Sequence, residues 1–360
     1  LMRPRMKNIR ILPELVAANQ PVEIEYRLQN ISSRYCWDLH VDTIPIRGMN
    51  QSEPEHLTVK CIPPQQTIQL HRKITFSSRG RHELPLLRVA SSLPFGLTMC
   101  GTTSVDCQDI LVYPDYTPLE HIDFPLGKEK AQDYTLLASL QQQDVFEFHA
   151  CREYRYGDDR RHIHALSWAR LGFPVVKEFN EEYKPHACVM IDPSFPQLNK
   201  AHDLRSFLRP FLPGSHPTGA EIADALASIL CSACDKLLQD GYQMDLFDLS
   251  SPSQNLPTLL GPRDLSEVFK VAASLQLQPE FIPPTHAQLQ RIVTIQNLLV
   301  ITASFSQHHV DILNHLQENF VRIKILWVSD DPPPTQLQRV SEEAVQLLPR
   351  QILAGQVTSC

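Results

Sequence analysis

The chain has 360 residues, room for two or three domains and a sizeable core. Its 33 Lys and Arg against 40 Asp and Glu give a net charge of -7, which excludes a general nucleic-acid binder with its basic surplus. Hydrophobic residues make up 42% and charged residues 20%, so this is neither a disordered tail nor a coiled coil; 29 Pro against 12 Gly imply stiff loops and few glycine-rich phosphate cradles.

The first third alternates. Val22, Ile24, Tyr26 and Leu28 interleave with Glu23, Glu25, Arg27 and Gln29, a period of two. Ile68, Leu70, Ile74 and Phe76 share one parity, with Arg72 as the exception, and Leu57, Val59 and Cys61, then Ile110 and Val112, repeat the pattern. Turn chemistry separates the runs at Asn30–Ser33, Pro63-Pro64 and Arg79-Gly80. Short strands of this kind predict an antiparallel, immunoglobulin-like β-sandwich over residues 8–115. Residues 116–150, with Pro118, Pro125 and Gln141-Gln142-Gln143, read as a linker.

Residues 186–360 alternate differently. His186–Asp192 (HACVMID) reads as a buried strand, and Thr218–Asp240 has a helical period through Ile222, Leu226, Ile229, Leu230, Ala233 and Leu237, with Gly241 behind it. Tyr242–Leu249, Asn297–Ala303 and Val321–Val328 read as strands, and Arg263–Leu277 and Gln307–Asn319 as helices. Strands alternating with helices predict a doubly wound, Rossmann-like α/β domain, so the whole is an α+β multidomain chain.

Between the halves, residues 151–185 carry dense mixed charge: Arg152, Arg155, Arg160, Arg161 and Arg170 against Glu153, Asp158, Asp159 and Glu178. Arginine forks pair bidentately with carboxylates, so the stretch can hold several strong ion pairs. Arg152, Tyr154, Gly157, Asp158, Arg161, Ile163, His164, Ala169 and Arg170, followed by Lys177-Glu178-Phe179, resemble the signature of domain-of-unknown-function family fifty-eight, a bacterial family. Ser78-Arg79-Gly80 and Pro94-Phe95-Gly96-Leu97 look like the sandwich domain of the same family. One departure lies within the signature, where Ala165 stands in place of Trp and Trp168 takes the small hydroxyl position.

The resemblance implies two membrane helices ahead of the sandwich, a C-terminal half related to the von Willebrand factor A fold, and a gene beside a MoxR-type AAA+ ATPase. It therefore implies a role in assembling or maturing protein complexes. The A fold holds Mg²⁺ with D-x-S-x-S after its first strand. Here the segment is Asp192-Pro193-Ser194-Phe195-Pro196, the last hydroxyl is missing, and Ala303-Ser304 follow the strand where a late Asp is due. Asp192, Ser194 and the distant Thr218 are thus degenerate candidates, and no metal or other cofactor is expected. Asp192 instead caps the next turn and Ser194 bonds locally.

Enzyme signals are sparse. His162 and His164 could face one side of a strand as metal ligands, but no Cys or acid cluster at zinc spacing accompanies them. Cys231-Ser232-Ala233-Cys234 lies mid-helix, where thiols serve as small hydrophobes. There is no G-x-x-x-x-G-K-[ST], G-x-G-x-x-G or G-x-S-x-G. The expectation is a non-enzymatic interaction protein binding a MoxR-type ATPase or its client. Its binding surfaces would be the face near Asp192 and the signature residues Arg152, Tyr154, Gly157, Asp158, Arg161, His164, Arg170 and Glu178. The alternative is a metal-dependent hydrolytic enzyme using Asp158, Asp159, His162 and His164. Nine Cys without a paired framework and the basic start Arg3, Arg5, Lys7, Arg10 add an expectation of place. The native chain would be longer at its N-terminus and anchored in the bacterial inner membrane, with these residues on the cytoplasmic side.

Overall fold

The structure, a computed structural model, describes residues 4–44, 57–84, 86–93, 99–103, 109–122, 146–155, 162–181, 185–196, 218–251, 258–334 and 344–360. The chain divides into two units, one formed by 1–123 with 186–360 and the other by 124–185. Among the described residues no helix is long and apolar enough to cross a membrane.

Among the described residues the first part of the larger unit is all β: β1 (Met6–Ile11), β2 (Leu15–Ala17), β3 (Pro21–Asn30), β4 (Cys36–Ile44), β5 (Leu57–Ile62), β6 (Thr67–Thr75), β7 (Gly80–Glu83), β8 (Leu86–Ser91), β9 (Cys100–Thr103) and β10 (Asp109–Tyr113). They form sheets ordered β1-β3-β6, β2-β10-β7 and β5-β4-β8-β9, antiparallel apart from the β2–β10 pair. The period of two explains the core: Ile24, Tyr26 and Leu28 turn inward against Leu39, Val41, Ile62, Val89 and Val112, while Glu23, Glu25 and Arg27 stay on the other face. Arg72, the polar exception in β6, is buried on the inward parity opposite Ile24.

The smaller unit holds β11 (Phe146–Glu153), α1 (Ala165–Leu171) and β12 (Val175–Glu181), with β11 and β12 antiparallel. Residues 146–150, placed in the linker from sequence, are therefore strand.

The rest of the larger unit runs β13 (His186–Asp192), α2 (Gly219–Gln239), β14 (Gln243–Asp248), α3 (Leu265–Ser274), α4 (His286–Ile295), β15 (Asn297–Thr302), α5 (Gln307–Glu318), β16 (Arg322–Val328), β17 (Ala344–Leu347) and α6 (Pro349–Leu353). All five strands are parallel, in the order β14-β13-β15-β16-β17. The chain steps outward from β13 to β14, then crosses back to lay β15 on the other side of β13. That reversal makes the β13/β15 boundary the switch point, where open α/β sheets place their sites.

Helix α2 is buried along most of its length, as an apolar helix with little polar face must be. It packs against the sheet and the sandwich together. Ser228 Oγ donates to Asp115 O at 2.9 Å, and Arg79 donates through Nε to Asp224 on α2 and through NH1 to Ala272 O of α3 at 2.6 Å. Tyr113 at the end of β10 stacks on Phe269 of α3 with ring centroids 4.1 Å apart. Sandwich and α/β part are thus joined by partly buried polar and aromatic contacts.

Candidate functional site at the carboxyl end of the parallel sheet

Asp192 is the last residue of β13 and pairs in register with Thr302, the last of β15. The two lie side by side at the switch point. Asp192 is 1% exposed, and protein donors surround its carboxylate. Oδ1 accepts from Ser194 N at 3.0 Å. Oδ2 accepts from Ser194 Oγ at 2.8 Å, Thr302 Oγ1 at 2.8 Å and His309 Nε2 at 2.7 Å. A buried carboxylate needs such partners, because without them its desolvation costs several kcal/mol, about 1–3 per unmet bond.

His309 comes from the first turn of α5, where Ser306 is the N-cap. The ring is nearly fully buried, 3.9 Å from Phe281 and 5.4 Å from Phe305 between centroids. Its Nδ1 accepts from the Ser306 backbone N–H at 3.0 Å and lies 2.8 Å from Ser306 Oγ. Ser194 Oγ also meets Ser304 Oγ at 2.6 Å. Below the ring is a small apolar cavity walled by Met190, Phe281, Phe305 and Ile325.

These residues do not fit Mg²⁺. A hard cation needs open oxygen ligands, and the Asp192 oxygens are taken up by amide, hydroxyl and imidazole donors. Pro196 brings no hydroxyl, and Ala303 brings no carboxylate. Thr218 serves α2 instead: its hydroxyl accepts from Glu221 N, and the Glu221 carboxylate accepts from Thr218 N at 2.8 Å in a capping box. Among the described residues no three His, Cys, Asp or Glu converge as a metal would require.

The signature segment has its own geometry within the smaller unit. Arg152 sits on β11 opposite Val176, and its NH1 donates to Glu153 O at 3.2 Å. Tyr154 N donates to Pro174 O at 3.0 Å and His164 N to Val175 O at 2.8 Å, so β12 draws the two ends of the signature together. Gly157, Asp158, Asp159 and Arg161 lie outside the described residues, and with them the Asp158 part of the expected ion-pair network. Arg170 is in the last turn of α1, where a cation suits the helix dipole, and Gly172 ends the helix at φ 78°. Glu178 lies on β12 opposite Ala150.

The two histidines are not on a strand face. Ile163 alone bridges to Val176, while His162 lies in the turn before it and His164 N-caps α1. The His164 Nδ1 meets Ser167 Oγ at 2.6 Å.

One partly buried ionic cluster was not legible in the sequence. Asp245 of β14 accepts from Arg291 Nε of α4 at 2.6 Å and lies 3.3 Å from His186 Nε2. Burial raises its pKa, but hydrogen bonds from His186, Arg291 and Thr258 outweigh it and hold the carboxyl well below the usual range. The thiols of Cys231 and Cys234 are fully buried in α2, and desolvation raises both pKa values, as inert core thiols show.

No protein-family model matches the chain, and no curated protein matches it. Among solved structures it is similar to a native alpha-2-macroglobulin from Escherichia coli, spanning domain MG7 to the C-terminus, at 13% identity over 32% of this chain and 17% of that chain, TM-score 0.26. It is also similar to a CARDB domain from Pyrococcus furiosus at 14% identity, over 31% of this chain and 97% of that one, TM-score 0.23. A beta-glucosidase from Listeria innocua follows at 11% identity, over 30% and 16%, TM-score 0.18.

Proposed function

We propose that this chain is a non-enzymatic interaction protein of the bacterial inner membrane, working with a MoxR-type AAA+ ATPase in the assembly or maturation of protein complexes. The observation that carries the non-enzymatic reading is the state of Asp192. It occupies the place where a von Willebrand A-like domain would hold a metal, and four protein donors take up its oxygens. Such a rim is a rigid surface rather than a reactive one. The parallel sheet with its first strand ending at Asp192 supports the A-like reading. The signature residues Arg152, Tyr154, Gly157, Asp158, Arg161, His164, Arg170 and Glu178 support the choice of partner. The basic stretch Arg3, Arg5, Lys7 and Arg10 supports the membrane.

The test is direct binding of the purified chain to a purified MoxR-type ATPase, read by calorimetry. A stoichiometric complex that Arg152→Ala or Arg170→Ala weakens is the expected result, and no complex with the parent chain overturns it. Metal analysis of the same preparation addresses the alternative. Stoichiometric Mg²⁺, Mn²⁺ or Zn²⁺ would favour a hydrolytic enzyme using Asp158, Asp159, His162 and His164.

A further inference from the structure

One end of the sandwich gathers exposed apolar and aromatic side chains on a hydrogen-bonded frame. There β3 passes to β4 through residues 31–35, and β5 passes to β6 through 63–66. Asn30, fully buried, ties both crossings: its Nδ2 lies 2.8 Å from Arg34 O, 3.0 Å from Ile62 O and 3.1 Å from Pro63 O. Its Oδ1 accepts from Ser32 N and Oγ, and its backbone pairs with Gln65 N and Gln66 O. Ile31 N donates to Arg5 O at 3.0 Å, which binds the start of the chain to the same end. The loops are held by hydrogen bonds that converge on the buried Asn30, so whatever they present is presented in a fixed arrangement.

What they present is apolar and aromatic. Ile31, Tyr35, Trp37 and Met99 are 49%, 58%, 52% and 50% exposed, and the Tyr35 and Trp37 rings stack with centroids 5.9 Å apart. Met99 belongs here because Cys100 pairs with Ser91, whose Oγ donates to Trp37 O. The charge at this end runs against that of the molecule. Across residues 4–7, 29–38 and 61–67 the cations are Arg5, Lys7 and Arg34, and the single acid is Asp38, which accepts from Ser92 Oγ. The chain as a whole carries -7.

We propose that this end of the sandwich seats on an anionic lipid surface, with Trp37 and Tyr35 at headgroup depth, Ile31 and Met99 beside them, and Arg5, Lys7 and Arg34 on the phosphates. Trp and Tyr join an apolar body to a polar tip, which suits the boundary of a bilayer. Each basic residue near an anionic leaflet strengthens binding about fivefold. The inference goes beyond the membrane association proposed above by naming the contact surface. Its test uses vesicles without the ATPase, so it can fail while the partner complex stands.

The experiment is co-sedimentation of the purified chain with vesicles of phosphatidylcholine alone and of phosphatidylcholine mixed with phosphatidylglycerol. Binding to the mixed vesicles, weakened by added salt, is the expected result. Arg34→Ala should bind them about fivefold more weakly, and Tyr35→Ala with Trp37→Ala at least about tenfold more weakly. All three side chains are exposed, so an unchanged melting temperature will confirm that the variants fold. Equal binding to both vesicle types, or variants that bind as the parent does, overturns the proposal. So does a loss of ATPase binding in these variants with no vesicle binding by the parent, which would make the rim a protein interface.

Discussion

The backbone N–H of Ser306 donates to Nδ1 of His309 at 3.0 Å, and that bond decides which ring nitrogen carries the proton. A backbone amide can only donate, so Nδ1 offers its lone pair and the proton sits on Nε2, facing Asp192. Helix α5 is thereby fastened to the end of β13 through one imidazole. The expected NMR signature of the neutral His309 ring is the Nε2–H tautomer. An Nδ1–H ring would show that the link is drawn the wrong way round.

His309→Ala should cost about 3 kcal/mol, from the cavity left between Phe281 and Phe305 and one lost bond to a buried carboxylate. Asp192→Ala should cost a similar amount, because Thr302 and His309 lose their shared acceptor. Chemical denaturation of each variant gives the number. Mg²⁺ added to the parent should leave the melting temperature unchanged. A saturable rise, which linkage demands of any ion that binds the folded state, would refute the view of Asp192 as a protein-saturated carboxylate.

Arg79 should be the most sensitive residue of the joint between sandwich and α/β part. Its guanidinium is largely buried and reaches both Asp224 and the Ala272 carbonyl. Arg79→Ala is expected to lower stability by about 2–3 kcal/mol. The discriminating variant is Asp224→Asn. Asp224 is partly exposed, so its loss should cost less, about 1 kcal/mol.

Asp245 makes stability depend on acid. Its pKa is lower folded than unfolded, so its contribution is present above the unfolded carboxylate value of about 4 and is lost as pH falls below it. Stability should therefore decline from about pH 5 downward. Asp245→Asn should lower stability near neutral pH by about 2 kcal/mol and make that decline shallower. Equal acid slopes in parent and variant would remove Asp245 from the account.

Thiol labelling should follow burial. Cys151 is exposed and should react first among the described cysteines, while Cys188, Cys231 and Cys234 should react only on unfolding. Cys360 should be slow, since burial pushes its thiol up to about 11. Mass spectrometry of the alkylated native protein reads the order.

Some of this was plain in the residues themselves. Alternation from Val22 to Leu28 predicts β3, and the apolar runs at His186 and Asn297 predict β13 and β15. The Asp192–Ser194 turn follows from an Asp two residues before a Ser. Helix α4 went unread, though Thr285 and Gln288 form a capping box behind Pro283-Pro284. His162 and His164 share a parity that suggests a strand, and the structure shows there a single bridge, of Ile163 to Val176.

By itself the sequence determined the inward parity of several strands and the place of the longest periodic elements, and it pointed to a β-rich part followed by alternating strands and helices. It did not determine which buried face meets which. His309 reaches Asp192 across 117 residues only because the parallel connections lay β15 against β13 and bring their carboxyl ends together. Arg79 finds Asp224 across 145 residues because α2 packs beneath the sandwich. Periodicity records burial, which is local and non-directional, whereas a polar contact needs two groups within about 3 Å at the right angle, a condition set only when the whole chain has closed.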